Sequence, residues 1–136
     1  MNRSLVLADS SAWVSHLTES GGSISEIIST LLDADRVVIN EVVRLEVLTG
    51  ARDEAQYTEL SDMFLGLPLL SVSGVVWSKA ERLRYELRRK GHVVPVPDVV
   101  IASCALVYDC ELLHVDRHFD LIARMVSLRI CHVSVR

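Results

Sequence analysis

A chain of 136 residues that is 50% apolar is sized for a single domain, residues 1–136, with one aliphatic core. Its formal net charge of −4 excludes a protein that holds nucleic acid by bulk electrostatic attraction, although a local metal site could still accept a polyanion. No apolar run is long enough for a signal-peptide core or a membrane span, so we expect a cytoplasmic protein without membrane contact.

Short β-rich runs alternate with helical patterns along the chain. Strands are predicted at 4–8, 36–39, 67–71, 111–115 and 129–133. Helices are predicted at 10–17, 25–33, 40–48, 54–65, 75–90, 98–108 and 117–125. This alternation predicts a three-layer α/β fold in which a central parallel sheet of about five strands carries helices on both faces.

Acidic residues follow two of these strands at the point where each strand ends. Asp9 follows the first strand and Asp116 the fourth, and Asp98 begins a helix behind a proline-containing turn. Each aspartate alone is better explained as a helix N-cap. Because ligands bind outside the carboxyl ends of parallel strands, Asp9 and Asp116 are nevertheless expected at one edge of the sheet.

Glu46 interrupts the apolar face of the helix at 40–48. A carboxylate facing the core needs a partner, and the alternatives are a metal ion or an ion pair with Arg44 or Arg52. Glu41 competes for this role, but it lies in the first helical turn, where the dipole favours an acid. Clustered carboxylates repel one another, and a bound Mg²⁺ or Mn²⁺ removes that cost.

These acids stand in four short motifs. The motifs are Asp9-Ser10-Ser11, Arg44-Leu45-Glu46-Val47, Pro97-Asp98-Val99-Val100-Ile101-Ala102 and Asp116-Arg117-His118-Phe119. Their order and the chain length resemble the PIN-domain ribonucleases, particularly the VapC-type toxins of toxin–antitoxin pairs. The resemblance extends along essentially the full chain.

This resemblance implies a PIN fold and a Mg²⁺- or Mn²⁺-dependent endoribonuclease that cuts RNA with a metal-activated water. It implies that the catalytic metal ligands are Asp9, Glu46, Asp98 and Asp116. The implied protein partners are a small cognate antitoxin and, in a homodimer, a second copy of the chain.

Three further residues receive supporting roles, two from the same resemblance and Arg117 from its position beside Asp116. Ser11 would support the first aspartate, Asp120 would make a secondary contact, and Arg117 would contact the substrate. The chain has His114 and Val115 before Asp116, where the family often has a threonine, which leaves one supporting hydrogen bond in question.

Other features are weighed against ordinary structural roles. The basic end of the helix at 75–90 favours a solvated helix terminus over phosphate contacts, and Trp13 and Trp77 are expected as core or interface anchors. The apolar residues Leu31, Leu32, Met63, Phe64 and Leu65 are either an antitoxin interface or core. The cysteines, without CxxC spacing, are expected as reduced core thiols, and histidine ligands are not expected because no metal-binding spacing occurs.

Two alternative functions stay open. One is a PIN-like nuclease in RNA processing outside any toxin–antitoxin pair, and the other is a PIN-like module that binds without cleaving. The presence of all four acids argues against the second alternative.

Overall fold

The computed structural model describes residues 4–131, and in this part of the chain it has three β-strands and seven α-helices. The strands are β1 (Val6–Ala8), β2 (Val37–Val38) and β3 (Glu111–Leu113). The helices are α1 (Ser10–Thr18), α2 (Ser23–Asp33), α3 (Glu41–Thr49), α4 (Glu54–Leu65), α5 (Gly74–Arg89), α6 (Val96–Val107) and α7 (Arg117–Ala123). Every predicted helix is present, with ends that differ from the prediction by two residues at most.

The three strands form a parallel sheet in the order β2-β1-β3. Val6 pairs with Val37 on one side and with Glu111 on the other, which fixes the register of both ladders. The chain passes from the central strand β1 to β2 on one side of it, and then from β2 across to β3 on the other side of β1. Right-handed crossovers in opposite directions place helices on opposite faces of such a sheet, so the α/β fold class is confirmed.

The strand count differs from the prediction, since three strands rather than about five form within residues 4–131. The segment predicted at 67–71 is reduced to a single bridge between Ile39 and Leu69, and Pro68 has no N–H with which to extend it. The segment predicted at 129–133 is reduced to a bridge between Leu112 and Ile130, and its last two residues lie outside the described part.

The core surrounds β1, whose three residues are fully buried, as expected for a central parallel strand. The helix α6 adds a buried stretch at 99–105. Trp13 is also fully buried and packs edge-to-face on Phe64, with 5.2 Å between ring centroids. Within residues 4–131 no helix is both long and apolar enough to cross a bilayer.

For two groups of apolar side chains the structure decides in part between the alternatives that the sequence left open. Trp77 is 47% exposed, so it is no core residue, and its role as an interface anchor stays a prediction. The proposed antitoxin strip is not a continuous exposed surface, because Leu31 and Phe64 belong to the core and only Leu65 is clearly exposed. The cysteine prediction is confirmed, since Cys104, Cys110 and Cys131 are buried and unpaired.

Candidate metal and active site

Asp9 lies directly after β1, where the chain leaves the central strand to enter α1. It caps α1, because its Oδ1 accepts a hydrogen bond from the Ala12 amide at 3.0 Å, and its residue exposure is only 2%. The Ser11 hydroxyl donates to both carboxylate oxygens, at 2.7 and 2.9 Å. Burial raises the pKa of Asp9 from 3.8 to about 6 despite these hydrogen bonds, and the charge of Asp98 adds to the rise.

Ser11 joins the two strand ends on which the site is built. Its oxygen accepts a hydrogen bond from the Val115 amide at 3.1 Å, while its hydroxyl proton is donated to Asp9. The Asp9 amide in turn donates to the Leu113 carbonyl at 3.0 Å, so the β1–β3 ladder continues to this edge. The topology places Asp9 and the residues after β3 together, as ligand sites in open parallel sheets require.

Asp98 and Asp116 form the centre of the candidate site together with His118. The His118 Nδ1 lies 3.0 Å from Asp98 Oδ2 and 3.1 Å from Asp116 Oδ1. One potential ligand atom from each of the three residues lies within 4.8 Å of the others, and all three side chains are half-buried. Two carboxylates and an imidazole at this spacing are suited to one divalent cation.

The helix termini explain how these three side chains come together. Asp116 is the N-cap of α7, and its Oδ1 accepts a hydrogen bond from the His118 amide at 2.9 Å. Asp98 lies in the first turn of α6, which begins at Val96, two residues earlier than predicted. Proline is tolerated in the first turn of a helix, so Pro97 does not delay the start of α6.

The electrostatics connect all four predicted acids. Burial raises the pKa of Asp98 first, and the charges of Asp116 and Glu46 raise it further, whereas His118 opposes the rise. Asp98 in turn raises the pKa of Asp9. Asp9 and Glu46 lie outside the group of three ligand atoms, but they belong to the same repelling set of carboxylates, whose charge a divalent cation would compensate.

Glu46 is half-buried rather than enclosed in the core, and it has a neutral partner. Its Oε1 accepts a hydrogen bond from the Ser10 hydroxyl at 2.8 Å. The arginines considered as ion-pair partners lie elsewhere. Arg44 donates to Ser61 Oγ at 2.9 Å, and Arg52 lies 3.6 Å from Asp53. Among residues 4–131 Glu46 therefore has no ion pair, and the ion-pair alternative fails.

Glu41, the competing acid of α3, has a structural role. Its carboxylate accepts hydrogen bonds from the Val72 amide at 2.9 Å and from the Ser71 hydroxyl at 3.0 Å. These contacts fasten α3 to the loop that leads into α5.

His114 occupies the position where the family often has a threonine. Its Nδ1 accepts a hydrogen bond from the Asp116 amide at 3.0 Å, so the ring proton lies on Nε2, which faces Asp120 Oδ1 at 3.3 Å. Burial lowers the pKa of His114, which favours this neutral form. An imidazole thus bonds the backbone amide of Asp116 at this place, and its other nitrogen lies beside Asp120.

Three contacts of the site were not predicted from the sequence. Ser10 was seen as part of a motif, but its partner Glu46 is 36 positions away. His114 was treated as a missing threonine. His118 was set aside because no histidine spacing motif includes it, yet its ring nitrogen lies among the candidate ligand atoms. N-cap geometry at Asp116 is the local signal that could have placed the His118 ring beside the cluster.

The comparisons with known proteins agree with this fold. The PIN domain family model matches residues 6–125. Ribonuclease VapC11 of Mycobacterium tuberculosis is 33% identical over 129 residues, which cover 92% of this chain and 96% of that protein.

Solved structures show the same fold at lower sequence identity. VapBC2 from Rickettsia felis, bound to a DNA fragment from its promoter, contains a chain that superposes with a TM-score of 0.79 at 20% identity, covering 96% of this chain and 99% of that one. VapBC-5 from Mycobacterium tuberculosis, a member of the VapBC family of toxin–antitoxin systems, gives a TM-score of 0.66 at 21% identity, with coverage of 97% and 100%. With its model match, its acidic cluster and its sheet topology, this chain belongs to the PIN domain family.

Proposed function

We propose that this chain is the endoribonuclease toxin of a toxin–antitoxin pair and that it hydrolyses RNA phosphodiester bonds with Mg²⁺ or Mn²⁺. The observation that carries the proposal is the cluster of Asp98, Asp116 and His118 at the carboxyl edge of the sheet. The 33% identity to a protein named as a ribonuclease, over 92% of this chain, supports RNA as the substrate.

Asp98 and Asp116 are the proposed direct ligands, with His118 Nδ1 as a third donor and with Asp9 and Glu46 completing the acidic set. Mostly oxygen donors in a half-buried pocket fit a small, hard divalent cation. Such an ion supplies a water of lowered pKa and compensates charge on the phosphate.

The chain's own part in the reaction is to hold these groups in place. Ser11 fixes the orientation of both Asp9 oxygens, Ser10 fixes Glu46, and His114 fixes the backbone that carries Asp116. Groups held in this way need little rearrangement as charge develops on the phosphate, which is how preorganised sites accelerate reactions. Arg117, exposed and next to Asp116, is the proposed contact to the RNA.

The proposed protein partners are a small cognate antitoxin and a second copy of the chain. The description of VapBC-5 as part of a toxin–antitoxin system supports the first. The exposed Trp77 and Tyr85 line an apolar groove between α5 and α6, and aromatic side chains of this kind are enriched at protein interfaces. Light scattering from the purified chain, alone and with its antitoxin, measures both associations.

The test is cleavage of a structured RNA pool in Mg²⁺, in Mn²⁺ and in EDTA by the wild type, Asp98→Asn and Asp62→Asn. Asp62 is an exposed residue of α4, so Asp62→Asn makes the same chemical change away from the site. We expect discrete metal-dependent cuts from the wild type and Asp62→Asn, and a loss of at least about 100-fold in Asp98→Asn.

Other outcomes distinguish the alternatives. Equal cutting by Asp98→Asn and the wild type would refute the proposed site. A wild type that is stabilised by Mn²⁺ but cuts nothing would favour the binding module. Metal-dependent cutting by a chain that has no antitoxin partner would favour an RNA-processing nuclease.

A further inference from the structure

A polar cleft opens beside the acidic cluster, between the turn that follows α5 and one face of α7. Its volume is about 390 Å³. His92 lines it from the turn, and Arg117, His118, Asp120 and Arg124 line it from α7 and the residue after it. The cleft therefore shares His118 with the candidate metal site.

Two arginines give the cleft its positive charge. Arg117 and Arg124 are seven positions apart, a spacing that puts both on the same side of α7. Both are exposed, and within residues 4–131 neither guanidinium makes a hydrogen bond or an ion pair with the protein. In contrast, Arg82 is bound to Glu86 at 3.0 Å. The two arginines thus present free donors on one wall of the cleft.

Among the described residues, Asp120 supplies the one carboxylate that lines this cleft, and its side chain is partly exposed. Asp120 lies between the two arginines on the same face of α7, and its Oδ1 is 3.3 Å from His114 Nε2. Two guanidinium groups outnumber this one carboxylate, so the cleft has a net positive charge beside the acidic cluster. An anion that also reaches the cluster is the ligand such a surface suits.

We propose that this cleft is the subsite for an RNA phosphate neighbouring the one that is cleaved, and that Arg117 and Arg124 contact it. The inference rests on the proposed function. Guanidinium groups bind phosphate oxygens through paired charge-assisted hydrogen bonds, and such contacts position a nucleic acid without reading its sequence. The cleft thereby fixes the direction in which the RNA backbone crosses the cluster.

The experiment compares Arg124→Gln with Lys79→Gln and the wild type in Mg²⁺, by cleavage kinetics across a salt series. Lys79 is an exposed cation of α5 that lies outside the cleft and has no partner within residues 4–131, so both variants lose one positive charge. For Arg124→Gln we expect a KM about 3- to 10-fold higher with kcat nearly unchanged, because a binding contact is lost rather than a reacting group. The slope of log(kcat/KM) against log salt should fall by about 0.7, the value for one phosphate contact to a single strand.

The failures of the cleft and of the nuclease proposal are separable. If Arg124→Gln matches Lys79→Gln while the wild type cuts, the cleft proposal is overturned and the nuclease stands. If the wild type does not cut, fluorescence anisotropy with the same labelled RNA in Mg²⁺ decides. If Arg124→Gln weakens RNA binding and Lys79→Gln does not, the cleft proposal is supported without the nuclease. If the wild type does not bind the RNA, or if both variants weaken binding equally, the cleft proposal is overturned as well. Matching thermal unfolding of the two variants establishes that both are folded.

Discussion

The substitution Asp9→Asn measures what the charge of the buried Asp9 carboxylate costs the fold before a cation binds. The pKa of Asp9 is about 6 in the folded chain against an ordinary value of 3.8, so the folded chain holds this proton more tightly than the unfolded chain does. Ionisation of Asp9 therefore favours unfolding. The cost is absent below about pH 4, grows as the pH rises, and is fully present above about pH 6, where it amounts to about 3 kcal/mol.

Asparagine removes this charge while keeping the local geometry. Its Oδ1 still caps α1 through the Ala12 amide, and asparagine is as good an N-cap as aspartate. In EDTA at pH 7.5 we therefore expect Asp9→Asn to be more stable than the wild type, by up to about 3 kcal/mol or roughly 10 °C in Tm. The difference should vanish at pH 4, and saturating Mn²⁺ should stabilise the wild type much more than the variant.

Thermal unfolding at several pH values, with and without metal, is the assay. Asp53→Asn is the matched control, because Asp53 caps α4 with a 2.8 Å hydrogen bond from the Gln56 amide but is exposed. A metal-free Asp9→Asn that is less stable than the wild type at pH 7.5, or a difference that does not change with pH, would refute the reasoning.

Two further predictions concern buried polar groups. Ser11→Ala should lower the free energy of unfolding by about 1 to 3 kcal/mol in urea titrations, because it removes the acceptor of the Val115 amide and the hydroxyl that donates to both oxygens of the buried Asp9, which retains the Ala12 amide. Ser15→Ala, whose hydroxyl makes an exposed 3.5 Å hydrogen bond to Glu19, should change little; equal effects would contradict the role given to Ser11. Burial raises the pKa of Cys110 to about 12 and of Cys131 to about 11. Both thiols should therefore resist a disulfide reagent at pH 8 in the folded chain and react when the chain unfolds. Rapid labelling of the native protein would show that the core opens.

The helices were predictable because their signals are local. Asp9 and Asp116 have cap chemistry that can be read from neighbouring residues, and both are N-caps in the structure. The outer strands were not predictable to the same degree, because an apolar run shows that a segment is buried but not how many ladder hydrogen bonds it makes. Pro68 and the exposed Leu69 explain why one outer strand is only a bridge.

The same difference between local and long-range signals applies to the residues of the candidate site. Asp9 and Asp116 follow parallel strands, so topology alone predicts that they share an edge of the sheet. Asp98 and Glu46 come from helices whose placement depends on packing over long distances, and here the resemblance to a family supplied what periodicity could not. The partners of these acids are the least predictable part, since a hydroxyl or an imidazole bonds many kinds of group.

The hydrogen-bond partners of the four acids nevertheless distinguish the candidate site from other carboxylates of the surface. Elsewhere some carboxylates lie beside arginines, as Glu86 does beside Arg82 and Glu111 beside Arg36 at 3.7 Å. Within residues 4–131 no arginine or lysine forms an ion pair with any of the four acids of the cluster. Serine hydroxyls and His118 hold them instead, fixing geometry while leaving most of the negative charge uncompensated. A bound cation would offset this repulsion, and for that reason we expect stability in EDTA and activity in metal to change in opposite directions when one of these acids is neutralised.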